Sequence, residues 1–132
     1  MEDVSSGTVL VVEDEPGVRD VAVEMLKFSG FNVVEAVDAA SGLEQFNQNP
    51  DIDLVFSDVI MPGGTSGIEM AKEILAQNPN TPILLATGYS AKADALVNTA
   101  ARSDNIGVLS KPYDINEIPK LISTMISNAT AH

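Results

Sequence analysis

The sequence predicts a three-layer α/β fold, in which a parallel five-stranded sheet lies between two layers of helices. Short, continuously apolar runs alternate along the chain with segments whose apolar residues recur at helical spacing. The 132 residues, 45% of them apolar, fit one domain with a buried core, and no linker or internal repeat divides them. Because strands alternate with helices, right-handed crossovers and a parallel sheet follow. We therefore predict a single domain over residues 1–132.

Five runs are predicted to be strands. Residues 9–12, 54–56, 83–86 and 108–109 are continuously apolar, which is typical of strands buried on both faces of a sheet. The run Asn32–Ala36 is more polar, and we expect it to lie nearer an edge of the sheet.

The helices are predicted from apolar spacing and from their capping residues. The first carries an apolar stripe and has Pro16 in its first turn, where proline is tolerated. The stripe consists of Val18, Val21, Ala22, Met25 and Leu26. Asp38 can cap the second helix, and Ser66 with Glu69 forms a capping box that opens the third. Ser90 can cap a fourth helix, which has few large apolar residues and should be the least firmly packed.

The start of the last helix has two interpretations. Asp114 with Glu117 resembles a capping box, but a helix beginning there would place Pro119 where it removes a hydrogen bond. Asn116 as the cap avoids that loss, so both starts stay open. The apolar residues of this helix are Ile118, Leu121, Ile122, Met125 and Ile126.

Composition restricts the available chemistry to carboxylates. Seven Lys and Arg against nineteen Asp and Glu give a net charge of -12, which argues against direct nucleic-acid binding. The chain has no Cys, and its single His is His132, so thiol catalysis, His metal clusters and an internal phosphohistidine are excluded. Residues 1–7 do not resemble a secretion signal, and no apolar run approaches the roughly 20 residues that cross a bilayer. We expect a cytoplasmic protein without membrane contact.

Polar side chains collect where the predicted strands end, at the edge of an open parallel sheet that binds ligands. Glu13 and Asp14 follow the first strand, and Asp58 follows the third; Thr87 and Lys111 follow the fourth and fifth. Singly, each has a structural explanation, such as an acid beside a helix amino end or an Asp in a turn. Together, the three carboxylates suit Mg²⁺, which prefers oxygen ligands. A carboxylate beside Mg²⁺ can accept a phosphoryl group, whose oxygens Lys111 and Thr87 could contact.

The ordered motifs resemble the receiver domains of two-component response regulators. These motifs are Glu13-Asp14-Glu15-Pro16, Ser57-Asp58-Val59-Ile60-Met61-Pro62-Gly63, Ala86-Thr87-Gly88-Tyr89 and Lys111-Pro112-Tyr113, and the resemblance spans about residues 8–126. It implies a flavodoxin-like fold with strand order 2-1-3-4-5. It also implies that Asp58 is the phosphoacceptor and that Glu13, Asp14, Asp58 and the carbonyl of Ile60 bind Mg²⁺. Thr87 and Lys111 would then contact the phosphoryl group.

Two positions depart from the family pattern. Leu109 stands where the family usually has Phe or Tyr, so the aromatic half of the usual switch is missing. The Ala-Thr-Gly-Tyr stretch resembles a subgroup of single-domain receivers that also lack this aromatic, and Tyr89 is therefore a candidate switch residue beside Thr87. Glu13 stands where Asp is commoner, and we expect the water shell of the metal to absorb its extra methylene.

The resemblance implies a phosphoacceptor that takes its phosphoryl group from a histidine kinase or histidine phosphotransfer protein and signals to a downstream protein. The chain would be a monomer or weak homodimer and would catalyse only its own phosphorylation and dephosphorylation. A receiver of a hybrid histidine kinase would look the same. One alternative is a receiver-like binding module that is never phosphorylated. A haloacid-dehalogenase-like phosphatase is disfavoured, because Val59 and Ile60 follow Asp58 where such enzymes have a second Asp.

Overall fold

Five parallel strands form one sheet in the order β2-β1-β3-β4-β5, as the sequence predicts. The computed structural model describes residues 7–59, 67–87, 106–110 and 114–130. The strands are β1 (Thr8–Val12), β2 (Asn32–Ala36), β3 (Leu54–Asp58), β4 (Ile83–Thr87) and β5 (Ile106–Ser110). All four pairings are parallel, so every strand ends at the same edge of the sheet.

Helices of the described residues cover both faces of this sheet. They are α1 (Pro16–Phe28), α2 (Ala39–Gln48), α3 (Gly67–Gln77) and α4 (Ile118–Thr130), with a 3-10 turn over Ile115–Glu117. The helix predicted after Ser90 lies outside the described residues. Among the described residues, no helix combines the length and apolar character needed to cross a membrane.

Two hydrophobic cores lie on opposite faces of the sheet, and β1 contributes to both. Val9 and Val11 pack with α1 and α4, whereas Leu10 and Val12 pack with α2 and α3. This division follows from the alternation of side chains along a strand. All four residues are at most 1% exposed, which confirms that this strand is buried on both faces.

The two edge strands are less buried than the three inner ones. Asn32 and Glu35 of β2 are exposed, which confirms that this strand lies at an edge. The interpretation of residues 108–109 as part of a strand buried on both faces is wrong, because Val108 is 39% exposed and Leu109 only partly buried. β5 is the other edge strand, so it is paired on one side only.

Local sequence signals explain how the helices begin. Asp38 caps α2 by accepting the Ser41 N–H at 2.8 Å, while the Ser41 hydroxyl accepts the Asp38 N–H at 3.1 Å, a reciprocal capping box. Pro16 stands in the first turn of α1, as predicted. The Ser66 half of the box predicted for α3 lies outside the described residues.

The last α-helix begins later than either of the two starts that the sequence left open. The Asp114 carboxylate accepts the N–H of Asn116 at 3.0 Å, and its carbonyl oxygen accepts the N–H of Glu117 at 2.9 Å. Asp114 therefore caps the short 3-10 turn, and α4 begins only at Ile118. Pro119 thus falls in the first turn of α4, where its missing N–H costs no intrahelical hydrogen bond.

Candidate functional site

Three carboxylates meet where β1 and β3 end. These strands are neighbours, with Val12 paired to Ser57, so Glu13 and Asp58 emerge side by side. One carboxylate oxygen from each of Glu13, Asp14 and Asp58 can be chosen such that all three lie within 4.8 Å of one another. Glu13 is buried, whereas Asp14 and Asp58 are half-buried. The structure therefore brings together the three acids that the sequence analysis selected.

Backbone hydrogen bonds fix the position of Glu13. Its N–H donates to the carbonyl oxygen of Ala36 at 3.0 Å, which extends the β1–β2 ladder by one residue. Its carboxylate oxygen Oε2 accepts the N–H of Glu15 at 3.1 Å. With 7% of its surface exposed, Glu13 is one of four buried polar or charged residues in the part of the chain that the structure describes, and its carboxylate belongs to the cluster.

The backbone that follows Asp58 is also fixed. The N–H of Val59 donates both to Oδ1 of Asp58 at 3.1 Å and to the carbonyl oxygen of Ala86 on β4 at 3.0 Å. The Ser57 hydroxyl donates to the Asp58 carbonyl oxygen at 2.8 Å. Because Val59 is 1% exposed, this segment is anchored in the core while the Asp58 side chain stays half-buried at the edge of the sheet.

Two residues of this region are missed by sequence reasoning. Arg19 of α1 donates through Nη1 to the carbonyl oxygen of Glu13 at 2.8 Å and through Nε to the Glu35 carboxylate at 3.3 Å. Gly67 starts α3 so close to β3 that a Cβ there would overlap the carbonyl oxygen of Asp58. The sequence offers one signal for Arg19, which is its position four residues, or one helical turn, after Glu15. In the structure its backbone N–H donates to the Glu15 carbonyl oxygen at 2.8 Å.

The remaining predicted site residues are described in part or not at all. Thr87 is the last residue of β4 and pairs with Ser110, and the residue before it, Ala86, pairs with Asp58. The backbone of Thr87 thus lies at the same edge as the three acids. Leu109 packs partly buried against the core on the α1 and α4 side of the sheet. Ile60, Tyr89 and Lys111 lie outside the described residues.

A small hollow lies against two of the acids, Glu13 and Asp58. It has a volume of about 10 Å³, which is room for roughly one water molecule. Its walls include Val11, Ala22, Phe56 and Ala86, all of them at least nine-tenths buried. Glu13 and Asp58, which also line this hollow, therefore lie beside apolar side chains, where their mutual repulsion is screened less than in bulk water.

The donor set fits a small, hard cation. Three carboxylates supply oxygen ligands only, the type that Mg²⁺ prefers, and their oxygens are close enough to share one ion. Magnesium usually takes few protein ligands and keeps several waters, so three half-buried or buried carboxylates at an open sheet edge suit it.

Comparison with known proteins places the chain in a family. Residues 9–123 match the response regulator receiver domain family. TcrX of Mycobacterium tuberculosis, a probable transcriptional regulatory protein, is 33% identical over 112 residues, which cover 84% of this chain and 46% of TcrX. The response regulator receiver protein CpdR of Brucella abortus is 30% identical over 118 residues, which cover 89% of this chain and 95% of CpdR.

Solved structures agree with these relatives. The crystal structure of the receiver domain from the hybrid histidine kinase CckA superposes with a TM-score of 0.74 at 30% sequence identity, covering 91% of this chain and 99% of that domain. The chain spans about half the length of TcrX but nearly the whole of CpdR. With the parallel 2-1-3-4-5 sheet and the acidic cluster at its carboxyl edge, these matches show that the chain belongs to the response regulator receiver domains of two-component systems.

Proposed function

We propose that this receiver domain accepts a phosphoryl group on Asp58, in a magnesium-dependent reaction with a phosphohistidine of a histidine kinase or histidine phosphotransfer protein. A carboxylate oxygen of Asp58 would attack phosphorus, forming a P–O bond as the P–N bond to the imidazole breaks, so that the product is an acyl phosphate. The observation that carries this proposal is the convergence of Glu13, Asp14 and Asp58 within 4.8 Å at the edge where all strands end.

Differences in burial support Asp58 as the acceptor among the three acids. The Glu13 carboxylate is buried and already accepts the N–H of Glu15. Asp58 is half-buried at the end of an inner strand, and its backbone is fixed by the hydrogen bonds of Val59 and Ser57. A nucleophile placed in this way is accessible from outside yet restricted in direction, which is the positioning that phosphoryl transfer requires.

The metal ligands in this proposal are Glu13, Asp14, Asp58 and the carbonyl of Ile60, the last by family resemblance. Bound Mg²⁺ would supply positive charge that offsets the repulsion between the carboxylates. It would also offset the negative charge that accumulates on the phosphoryl oxygens. Glu13 is longer by one methylene than the Asp usual at its position. The Glu13 carboxylate accepts the N–H of Glu15, so its longer side chain is held close to the backbone of residues 13–15. This supports Glu13 as a ligand in place of Asp.

Four further residues are proposed to respond to the phosphoryl group. Thr87 and Lys111 would contact its oxygens, in keeping with the place of Thr87 at the end of β4. Leu109 replaces the usual aromatic residue and packs, partly buried, against the core, so we propose that Tyr89 takes over part of the switching role. Replacing Tyr89 by alanine should then alter partner binding without preventing phosphorylation, whereas unchanged partner binding would count against this role.

The phosphoryl donor and the output of this domain are proposed to be other proteins. The sole histidine is His132, so the phosphohistidine comes from a partner. Val18 and Val21 lie three residues apart on α1, directly after the acidic residues, and are 41% and 55% exposed. Exposed apolar side chains beside the site support docking of a protein, while the net charge of -12 disfavours nucleic acid. We propose a cytoplasmic monomer or weak homodimer without enzymatic turnover of free substrates.

Acetyl phosphate tests the proposal directly. With Mg²⁺ present, the intact mass of the protein should rise by one phosphoryl group, Asp58→Asn should abolish the gain, and the exposed Asp51→Asn at the opposite edge should retain it. Labelling of the Asp58→Asn variant would overturn the site assignment. Metal binding without any mass gain would favour the binding module that is never phosphorylated, and steady hydrolysis of a phosphate ester would favour a phosphatase.

A further inference from the structure

We infer that Arg19 is a positioning residue for the magnesium ligands: its guanidinium fixes the peptide that joins Glu13 to Asp14 and thereby sets the direction of both carboxylates. This inference rests on the proposed function, because it concerns the same acids. Arg19 lies outside the acidic cluster and is proposed to act through the Glu13 backbone.

The contacts of Arg19 tie three elements together. Nη1 donates to the carbonyl oxygen of Glu13 at the end of β1 at 2.8 Å, a short charge-assisted bond. Nε lies 3.3 Å from the carboxylate of Glu35 on the edge strand β2. The backbone N–H of Arg19 donates to the Glu15 carbonyl oxygen at 2.8 Å, which fixes the residue in the first turn of α1. One side chain thus spans β1, α1 and β2.

Of the groups that Arg19 contacts, the carbonyl of Glu13 is the one that belongs to the peptide between the two metal-ligand residues. The N–H of Glu13 donates to Ala36 and its carboxylate accepts the N–H of Glu15. The Glu13 carbonyl belongs, with the N–H of Asp14, to the 13–14 peptide, so the bond from Arg19 to this carbonyl restricts the rotation of that peptide. The side chain of Arg19 is 16% exposed, whereas that of Glu35 is 45% exposed. The bond to the carbonyl is therefore sheltered from solvent, while the ion pair with Glu35 is largely screened and contributes little by itself.

Position and charge have opposite effects on metal affinity. A guanidinium bonded to the backbone of Glu13 repels a divalent cation held by the neighbouring carboxylates, so by charge alone removing Arg19 would tighten Mg²⁺ binding. If Arg19 orients the ligands, removing it weakens binding, because the freed peptide must be ordered each time the ion binds. The sign of the change therefore distinguishes positioning from a bystander charge.

The experiment compares Mg²⁺ dissociation constants by isothermal titration calorimetry for the wild type, Arg19→Met and Glu35→Gln. We expect Arg19→Met to bind about tenfold more weakly, the lower end of the loss seen when a residue that orients a metal ligand is removed. Glu35→Gln keeps the bond to the Glu13 carbonyl and should stay within about twofold of the wild type. Amide hydrogen exchange at Glu13 and Glu15 in the metal-free protein should accelerate in Arg19→Met but not in Glu35→Gln.

Each result decides the question. Unchanged or tighter Mg²⁺ binding by Arg19→Met, with wild-type exchange rates, would overturn the inference and leave the proposed function intact. A wild type that binds no Mg²⁺ would overturn both. If Arg19→Met fails to fold, Arg19→Lys serves instead, since lysine keeps the charge but lacks the planar fork that reaches Glu13 and Glu35 together. A weaker affinity in Arg19→Lys would support positioning, and wild-type affinity would contradict it.

Discussion

Replacing Gly67 by alanine should displace the backbone of Asp58, against which Gly67 packs. A Cβ built on Gly67 overlaps the carbonyl oxygen of Asp58 and lies 3.1 Å from both the carbonyl carbon of Asp58 and Cα of Val59. All three are backbone atoms, so no side chain can rotate away from the added methyl group. Either α3 must move outward or the end of β3 must move, although the N–H of Gly67 donates to the Val59 carbonyl oxygen at 2.7 Å.

The magnitude follows from two opposing effects. Alanine favours a helix over glycine by roughly 0.5 to 1 kcal/mol. Overpacking a tight contact costs about 1 to 3 kcal/mol, and contacts made only with backbone fall at the upper end. We therefore expect Gly67→Ala to lower the free energy of unfolding by about 2 to 2.5 kcal/mol, which is the upper overpacking cost less the helix gain, and the melting temperature by several degrees. Phosphoryl uptake should slow as well, because Asp58 is displaced.

Gly17 is the matched control, since it stands in the first turn of α1 at the same edge of the sheet. A Cβ at Gly17 meets nothing within 4 Å, so Gly17→Ala should be neutral or stabilise the protein by up to about 1 kcal/mol. Urea unfolding followed by circular dichroism gives both changes. If Gly67→Ala proves as stable as Gly17→Ala, the close approach of α3 to Asp58 is not real.

Four other perturbations test separate parts of the structure. Two hydrogen bonds hold the pKa of Asp38 below its usual value of 3.8: the larger effect comes from the Ser41 backbone N–H and the smaller from the Ser41 hydroxyl. These bonds stabilise the folded state fully at pH values above the pKa of Asp38 in the unfolded chain. The stabilisation is lost as the pH falls through the pKa of Asp38 in the folded protein. Asp38→Ala should cost about 1 kcal/mol at pH 7 in urea unfolding, and the cost should shrink below about pH 4. Ile74→Ala, at a fully buried position, should cost roughly 2 to 5 kcal/mol in the same assay. Asp14→Asn should weaken Mg²⁺ binding about tenfold or more by calorimetry, because it removes the negative charge of a proposed ligand. Val21→Ser should leave stability within about 0.5 kcal/mol but slow phosphoryl transfer from a cognate histidine protein, while transfer from acetyl phosphate stays unchanged.

Apolar patterns made the inner strands and the edge strand β2 predictable, but they gave a wrong interpretation of β5. Continuous apolar runs identified β1, β3 and β4, because a strand between two neighbours and two helical layers has no polar surface to show. The exposure of Val108 could not be predicted in this way, since two consecutive apolar residues look the same in an inner strand as in an edge strand. The position of a strand within the sheet depends on strand order, which no local run contains.

The acidic cluster was predictable from topology, whereas its supports were not. Once the strands are parallel, the residues after β1 and β3 must meet at one edge, and Glu13, Asp14 and Asp58 do so. Arg19 and Gly67 act through contacts between separate elements, with the Glu13 carbonyl and the Asp58 carbonyl respectively. Such contacts depend on the position and orientation of a helix on the sheet, and the spacing of residues along the chain does not determine these.

The double commitment of β1 has a consequence for the dynamics of the site. Because alternate residues of β1 pack into both cores, its backbone can open only when both cores open, so its slowest amides should exchange through global unfolding. The strand that Glu13 and Asp14 follow is thus held by the cooperativity of the whole domain. The acids at its end form a fixed reference, against which any rearrangement on phosphorylation must be made by other parts of the fold.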